Sequence, residues 1–253
     1  MANHYVMDYE TLSNCFIACF VHYTTDEQKI FVVHKLKNDF KDFIEFLEHN
    51  VKNNEWHISF NGLSFDSQVS HYILDNKEKL KLLSGEEISR KIYSYAQYII
   101  NKQDRNEFLD YPSWKMKIKQ IDLFKMNHLD NPAKSSSLKW IQYSMDWENV
   151  LEMPIHHSTE IESLEQINEI ITYCINDVLS TKRIMTLSRE QISLRQSLTK
   201  EYGIDLYSAS EPRISKELFS YFLTQKLNIE KNELRNLRTK EKALILKIVF
   251  FLK

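Results

Sequence analysis

Glycine is nearly missing. The chain has 253 residues, and its only glycines are Gly62, Gly85 and Gly203. A phosphate-cradling Walker loop, a dinucleotide fingerprint and a nucleophile elbow each need clustered glycines, so that backbone can approach a ligand or turn sharply. Glycines this far apart can build none of the three. Cysteine is scarce too. Cys15, Cys19 and Cys174 are odd in number and show no C-x-x-C spacing, which argues against a disulfide framework or a zinc site and suits a reducing, intracellular setting. No apolar run is long enough to span a bilayer; the longest candidate, ALILKIVFFL at 243–252, is short and carries Lys247. The N-terminus lacks the basic-then-apolar pattern of a secretory signal. The chain is therefore expected to be neither secreted nor embedded in a membrane.

What is present is ordinary for a folded protein: 43% hydrophobic and 27% charged residues, with length for one large domain or two small ones. The net charge of −2 is uneven: residues 226–253 sum to +5 and residues 1–225 to −7. A basic end can attract nucleic acid, and it can equally be a solvated helix face.

Hydrophobic periodicity gives the organisation. Residues 4–10, 15–23 and 29–35 read as three strands joined by short polar turns, an antiparallel meander. In DFKDFIEFLEHNV, at 39–51, Phe40, Phe43, Ile44, Leu47 and Val51 recur at helical spacing. A strand over 56–61, helices over 65–83 and 86–102, a fifth strand over 116–125 and a short helix over 137–145 follow. Ser163-x-x-Gln166 is a capping box that opens a long helix, and Ser208-x-x-Glu211 with Pro212 marks a further helix start. This order predicts an α/β fold with one mixed five-stranded sheet flanked by helices.

Four acids need explanation. Asp8 and Glu10 interrupt the first apolar strand and, two residues apart, share one face. Buried carboxylates are costly unless they are paired or bind a cation; an exposed strand face would also accommodate them. Asp66 follows the fourth strand in FNGLSFDSQV, five residues after Asn61, where it could simply cap a helix. Tyr173 and Asp177 lie at i and i+4 on the long helix, at the edge of the stripe made by Ile167, Ile170, Ile171, Cys174 and Val178. No other tyrosine in the chain has an aspartate four residues later. If all four acids converge at one end of the sheet, they repel strongly unless divalent cations sit between them. Oxygen-only ligands select hard metals such as Mg²⁺ or Mn²⁺, and a pair of such ions about 4 Å apart is an apparatus for phosphodiester cleavage.

Taken together, Asp8-x-Glu10, Asn61-x-x-x-Phe65-Asp66 and Tyr173-x-x-x-Asp177 resemble the three motifs of the DnaQ-like 3′–5′ exonucleases, in the branch with tyrosine in the third motif (DEDDy). The branch with histidine would need His at position 172, which is Thr172. IDLF at 121–124, SLKW at 137–140 and YCINDVLST resemble the exonuclease domains of phage and family B-type DNA polymerases. The resemblance covers residues 4–185 and implies a ribonuclease H-like fold, with an exonuclease domain over residues 1–200 and a helical C-terminal extension over 201–253. It implies two divalent ions, Mg²⁺ or Mn²⁺. Asp8 would bridge both; Glu10 and Asp177 would complete the site of the ion that generates the nucleophile, and Asp66 would hold the second, largely through water. Tyr173 would orient the attacking water, its ordinary pKa near 10 making it a poor base at neutral pH. Thr11, Leu12, Asn61 and Phe65 would contact the terminal nucleotide.

The implied substrate is the 3′ end of single-stranded DNA, in the cytoplasm of a cell or a phage-infected host. A ribonuclease of the RNase D or oligoribonuclease type shares the same acids, and a non-catalytic nucleic-acid-binding accessory module on the same fold is the reading from another class. About 70 residues follow the last motif, too few for a polymerase palm, so the expectation is a stand-alone exonuclease or the proofreading part of a split or truncated polymerase. His156-His157 reads as surface, and Trp114, Trp140 and Trp147 read as core rather than as base-stacking residues.

Overall fold

The computed structural model describes residues 4–131, 133 and 136–234. The apolar segment LILKIVFFLK and most of the basic C-terminal run lie outside the described residues. Three strands open the chain: β1 (His4–Leu12), β2 (Cys15–His22) and β3 (Gln28–Val33). Each pairs antiparallel with the next, as the turn spacing predicts. Helix α1 (Phe40–Lys52) leads to β4 (Trp56–Ser59), which lies parallel to β1, and β5 (Lys119–Asp122) lies parallel to β4. The sheet order is β3-β2-β1-β4-β5. Between β4 and β5 run α2 (Asp66–Leu80) and α3 (Gly85–Asp104); after β5 come α4 (Leu123–Met126), α5 (Leu138–Ser144), α6 (Leu164–Leu187), α7 (Arg189–Tyr202) and α8 (Glu211–Leu227). The architecture is α/β, a mixed five-stranded sheet with helices on its faces.

Strand alternation divides the core in two. Tyr5, Met7 and Tyr9 of β1 share one cluster with Phe16 and Phe20 of β2 and with apolar residues of α1, α2 and α3. It is rich in rings: Tyr9 meets Phe16, Phe20 and Phe43 edge-on, with centroids 5.3, 5.8 and 5.9 Å away, the arrangement that ring quadrupoles favour. On the other face Val6 and Leu12, with Ile17, Cys19 and Val21, pack against Ile167, Ile170, Cys174 and Val178 of α6.

The start of α6 is tied to the β1–β2 turn. Asn14 is buried there and pairs reciprocally with Ile161: its Nδ2 donates to the Ile161 carbonyl at 3.0 Å, and its Oδ1 accepts from the Ile161 N–H at 2.8 Å. The Ser13 N–H donates to the His157 carbonyl at 3.0 Å. Two residues later the Ser163–Gln166 capping box opens α6. The helix is thereby held in register with the end of β1 that carries the acids.

Three expectations are corrected. The fifth strand covers residues 119–122 rather than 116–125, because the Asp122 carboxylate accepts from the N–H groups of Phe124 and Lys125 and turns the chain at once into α4. Ser208 does not cap α8, whose N-cap is Ser210; the Ser208 hydroxyl accepts from the Asp122 N–H at 2.9 Å and donates to the Gln120 carbonyl at 3.1 Å, fastening the chain to the β5 edge. Trp114 and Trp140 are not core. They are 81% and 61% exposed, because one sits in a single 3-10 turn and the other on the seven-residue α5, whose only buried residue is Gln142. His156 and His157 are exposed, as expected.

Beyond α7, Leu206, Ala209 and Ile214 form a small apolar cluster of their own, and Tyr207 meets Trp56 of β4 at 4.3 Å between ring centroids. Arg195, fully buried, donates to the carbonyls of Ala209, Gln191 and Met126. Among the described residues, no helix is long and apolar enough to cross a membrane.

Candidate active site

The α6-facing row of β1 reads Val6, Asp8, Glu10, Leu12. Its first and last members are sealed in the core, while the two acids between them are half-buried. Asp8 lies opposite Cys19 and Glu10 opposite Ile17 on β2, so an apolar wall stands behind them.

Asp66 is brought to this row by the end of β4. That strand pairs with β1 only from His4 to Val6, which leaves the Tyr9 N–H without a strand partner. The Asp66 Oδ1 accepts it at 3.1 Å. A tight loop sets the position. Asn61 takes the left-handed conformation (φ 66°), and a Cβ on Gly62 would lie 2.0 Å from the Ser59 Oγ and 3.3 Å from the Asp66 Oδ2; only glycine fits. The fully buried Asp122 fixes the loop from β5, accepting from the Asn61 N–H at 3.0 Å and the Leu63 N–H at 3.1 Å in addition to its two cap bonds. Asp122 is thus an acid spent on four backbone amides. Its neighbour in space, Asp66, keeps capacity to spare.

From α6, Cys174 packs into the core and its thiol donates to the Asp8 carbonyl at 3.5 Å. One turn on, Asp177 is 5% exposed; its Oδ1 accepts from the Gln142 Nε2 at 2.7 Å. Tyr173 is half-buried beside it. The Lys139 Nζ stands 5.0 Å from the centre of the Tyr173 ring, held by the Leu151 carbonyl and by Glu152 at 3.3 Å.

The electrostatics follow from this crowding. Burial pushes Asp8 well above the usual carboxylate range, and Asp66, Glu10 and Asp177 add to it in that order. Glu10 rises to about 8, by burial first and then by Asp177 and Asp66, with Lys139 opposing. Asp66 rises to about 7 by burial, against the N–H bonds it accepts. Asp177 is raised by burial and lowered by Gln142, Tyr173 and Lys139. The Tyr173 phenol is pushed up by burial and then by Asp177 and Glu10, so it stays protonated at neutral pH. Four carboxylates from β1, the β4–α2 junction and α6 therefore share one environment, with Lys139 as the cation that acts on Glu10 and Asp177.

No family model matches this chain, and no curated protein matches its sequence.

The expected site residues divide on geometry. Asp8, Glu10, Asp66, Tyr173 and Asp177 come together. Thr11, Asn61 and Phe65 are half-buried; Phe65 packs on the ring-rich core, and Thr11, opposite Phe16, lies on the Tyr9 face of β1 rather than on the face of the acids. Leu12 is 0% exposed, and its side chain packs within the α6-side core. Gln142, Lys139 and Cys174 were not anticipated in their roles. Gln142 carries no local signal, since its partner lies 35 residues away.

Ligand atoms of Asp8, Glu10 and Cys174 lie within 4.8 Å of one another. The Cys174 thiol is held protonated by burial and by its contact with Cys19, so it is a donor to backbone rather than a ligand. The available donors are carboxylate oxygens, which suit a hard divalent cation. An uncompensated cluster of this kind is relieved by such a cation or by protonation.

Proposed function

We propose that this chain is a divalent-metal-dependent 3′–5′ exonuclease on a ribonuclease H-like fold, acting on the 3′ end of single-stranded DNA. The convergence of Asp8, Glu10, Asp66 and Asp177 beside a protonated Tyr173 is the observation that carries the reading. The strand order β3-β2-β1-β4-β5, antiparallel then parallel, supports the fold assignment. Residues 1–200 are read as the exonuclease domain and 201–253 as an extension that serves a proofreading polymerase, as a partner or as part of one longer protein.

In this reading Asp8, Glu10, Asp66 and Asp177 would hold two divalent ions, Mg²⁺ or Mn²⁺. When bound, such a pair supplies a hydroxide nucleophile and stabilises the leaving oxygen. The chain does the rest. The Tyr9 N–H fixes Asp66, so the carboxylate is placed before substrate arrives. Tyr173 keeps its proton and donates a hydrogen bond that orients the attacking water; it does not act as the base. Lys139, poised over the Tyr173 ring, offsets the negative charge that a phosphate brings to an already anionic cleft. Asn61 and Thr11 are read as contacts for the terminal nucleotide.

The test follows a 5′-labelled single-stranded DNA oligonucleotide and its RNA twin with Mg²⁺, with Mn²⁺ and with EDTA. A metal-dependent ladder shortening from the 3′ end is expected, faster on DNA. A faster RNA ladder would make the protein an exoribonuclease, and no cleavage of either by folded protein would leave a binding module.

A further inference from the structure

Gln142 is the single buried residue of α5, 0% exposed, and it lies against α6. Both hydrogens of its amide are in use. The Nε2 donates to the Asp177 Oδ1 at 2.7 Å and to the Ser180 Oγ at 2.8 Å. Ser180 can accept because its own hydrogen goes to the Asp177 carbonyl at 2.9 Å. Asp177 is therefore gripped twice, at the side chain and at the main chain, by a closed Gln142–Asp177–Ser180 ring of hydrogen bonds.

The other half of the amide is the informative part. The Gln142 Oε1 is buried and has no hydrogen-bond partner among the described residues. Turning the amide over would not help, since it would aim the carbonyl at a carboxylate oxygen and at a hydroxyl oxygen with no hydrogen left to give. A buried carbonyl without a partner costs free energy, and an apolar side chain of the same length would avoid that cost. What the glutamine supplies is the NH₂ group, and what that group does is fix one oxygen of Asp177.

We infer that Gln142 is the positioning residue of the centre: by committing the Asp177 Oδ1, beside the hydrogen bond that Asp177 also shares with Tyr173, it locks the rotation of the carboxylate that shares its electrostatic environment with Asp8 and Glu10. This rests on the metal-dependent reading above and goes beyond it, since Gln142 touches neither metal nor substrate. Partners that orient a ligating carboxylate are worth about 10–100-fold in metal affinity or activity.

The experiment compares wild type with Gln142→Met, which keeps length and removes both donors and the unpaired carbonyl. Ser180→Ala is the second variant, which loosens the same ring without touching α5 and serves if the first does not fold. Three quantities are read: Mn²⁺ affinity of the nucleic-acid-free protein by electron paramagnetic resonance of the free ion, the melting midpoint of the metal-free protein, and kcat and KM on the single-stranded oligonucleotide. Gln142→Met should weaken Mn²⁺ binding by about tenfold or more and lower kcat by a similar factor. KM should stay within about twofold, because no substrate contact is lost, and the midpoint should not fall. Ser180→Ala should show the same pattern at a smaller size. A folded Gln142→Met, or in its place Ser180→Ala, with wild-type Mn²⁺ affinity and kcat overturns the inference, as does a change confined to KM. If wild type binds Mn²⁺ and the variant binds it worse, but neither shortens DNA or RNA, the exonuclease reading fails while Gln142 keeps its role. If wild type binds no Mn²⁺, both fall.

Discussion

The two faces of β1 are built from the same nine residues and do opposite things. Tyr5, Met7 and Tyr9 point into a closed cluster of rings and aliphatic side chains, completed by α1, α2 and α3. Val6, Asp8, Glu10 and Leu12 point to α6, and there the apolar row stops for two residues and resumes. The first face stabilises; the second gives up burial to bring acids together. Even the polar atoms differ in use. The Tyr9 hydroxyl on the closed face finds Ser70 at 2.8 Å, while the carboxylates on the open face find chiefly one another. The lesson is that one strand can carry both stability and chemistry, because alternation keeps their costs on separate sides.

Paired substitutions should separate the two most sharply. Asp8→Asn removes a carboxyl group whose ionised form is disfavoured by burial and by its acidic neighbours. Loss of metal-based charge stabilisation of about 4 kcal/mol corresponds to a fall in exonuclease rate on the order of 10³-fold. The same change should raise the melting midpoint of the metal-free protein by about 2–4 °C, for about 1 kcal/mol of repulsion relieved. Phe43→Ala, in the ring cluster, should do the reverse. It should cost about 3–5 kcal/mol of stability and leave the turnover of the remaining folded protein within about threefold. Thermal melts and initial rates on the same preparations check both; an Asp8→Asn variant that melts lower and still cuts would break the contrast.

How far was this legible in the sequence? The contrast itself was: Asp8 and Glu10 inside an apolar strand, and Tyr173 with Asp177 at the edge of a helical stripe, announce themselves by violating a local pattern. The capping box at Ser163, the meander and the mixed sheet were equally local. What escaped depends on contacts across the chain. Asp122 reads as one more acid near a strand end, and its four backbone partners appear only when β4 and β5 lie side by side. Gln142 and Lys139 sit on a helix too short for periodicity to speak, so their facing toward α6 is set by packing alone. Trp114 and Trp140 depart from expectation for the related reason that a large apolar side chain is a prior for burial and not a location.

A smaller effect sharpens the comparison through pH. Glu10 and Asp66 have folded-state pKa values raised to about 8 and about 7 from ordinary values of 4.5 and 3.8. Between those limits the folded protein holds more protons than the unfolded chain, so stability must fall as pH rises. Each extra bound proton gives a slope of about 1.4 kcal/mol per pH unit. The metal-free protein should therefore lose stability steadily as pH rises from about 5 to about 8. Excess Mg²⁺ should raise the midpoint most at the alkaline end and flatten the profile. Denaturant titrations across this range, with and without Mg²⁺, measure it; a stability that rises with pH in the metal-free protein would mean that the carboxylates are already compensated.

The most direct measurement is anomalous diffraction from crystals soaked in Mn²⁺. The account predicts an anomalous peak in the cleft bounded by Asp8, Glu10 and Asp177, lost in crystals of Asp8→Asn. A cleft without a peak in well-ordered wild-type crystals, with the four carboxylates held by protons or by protein donors instead, would contradict it.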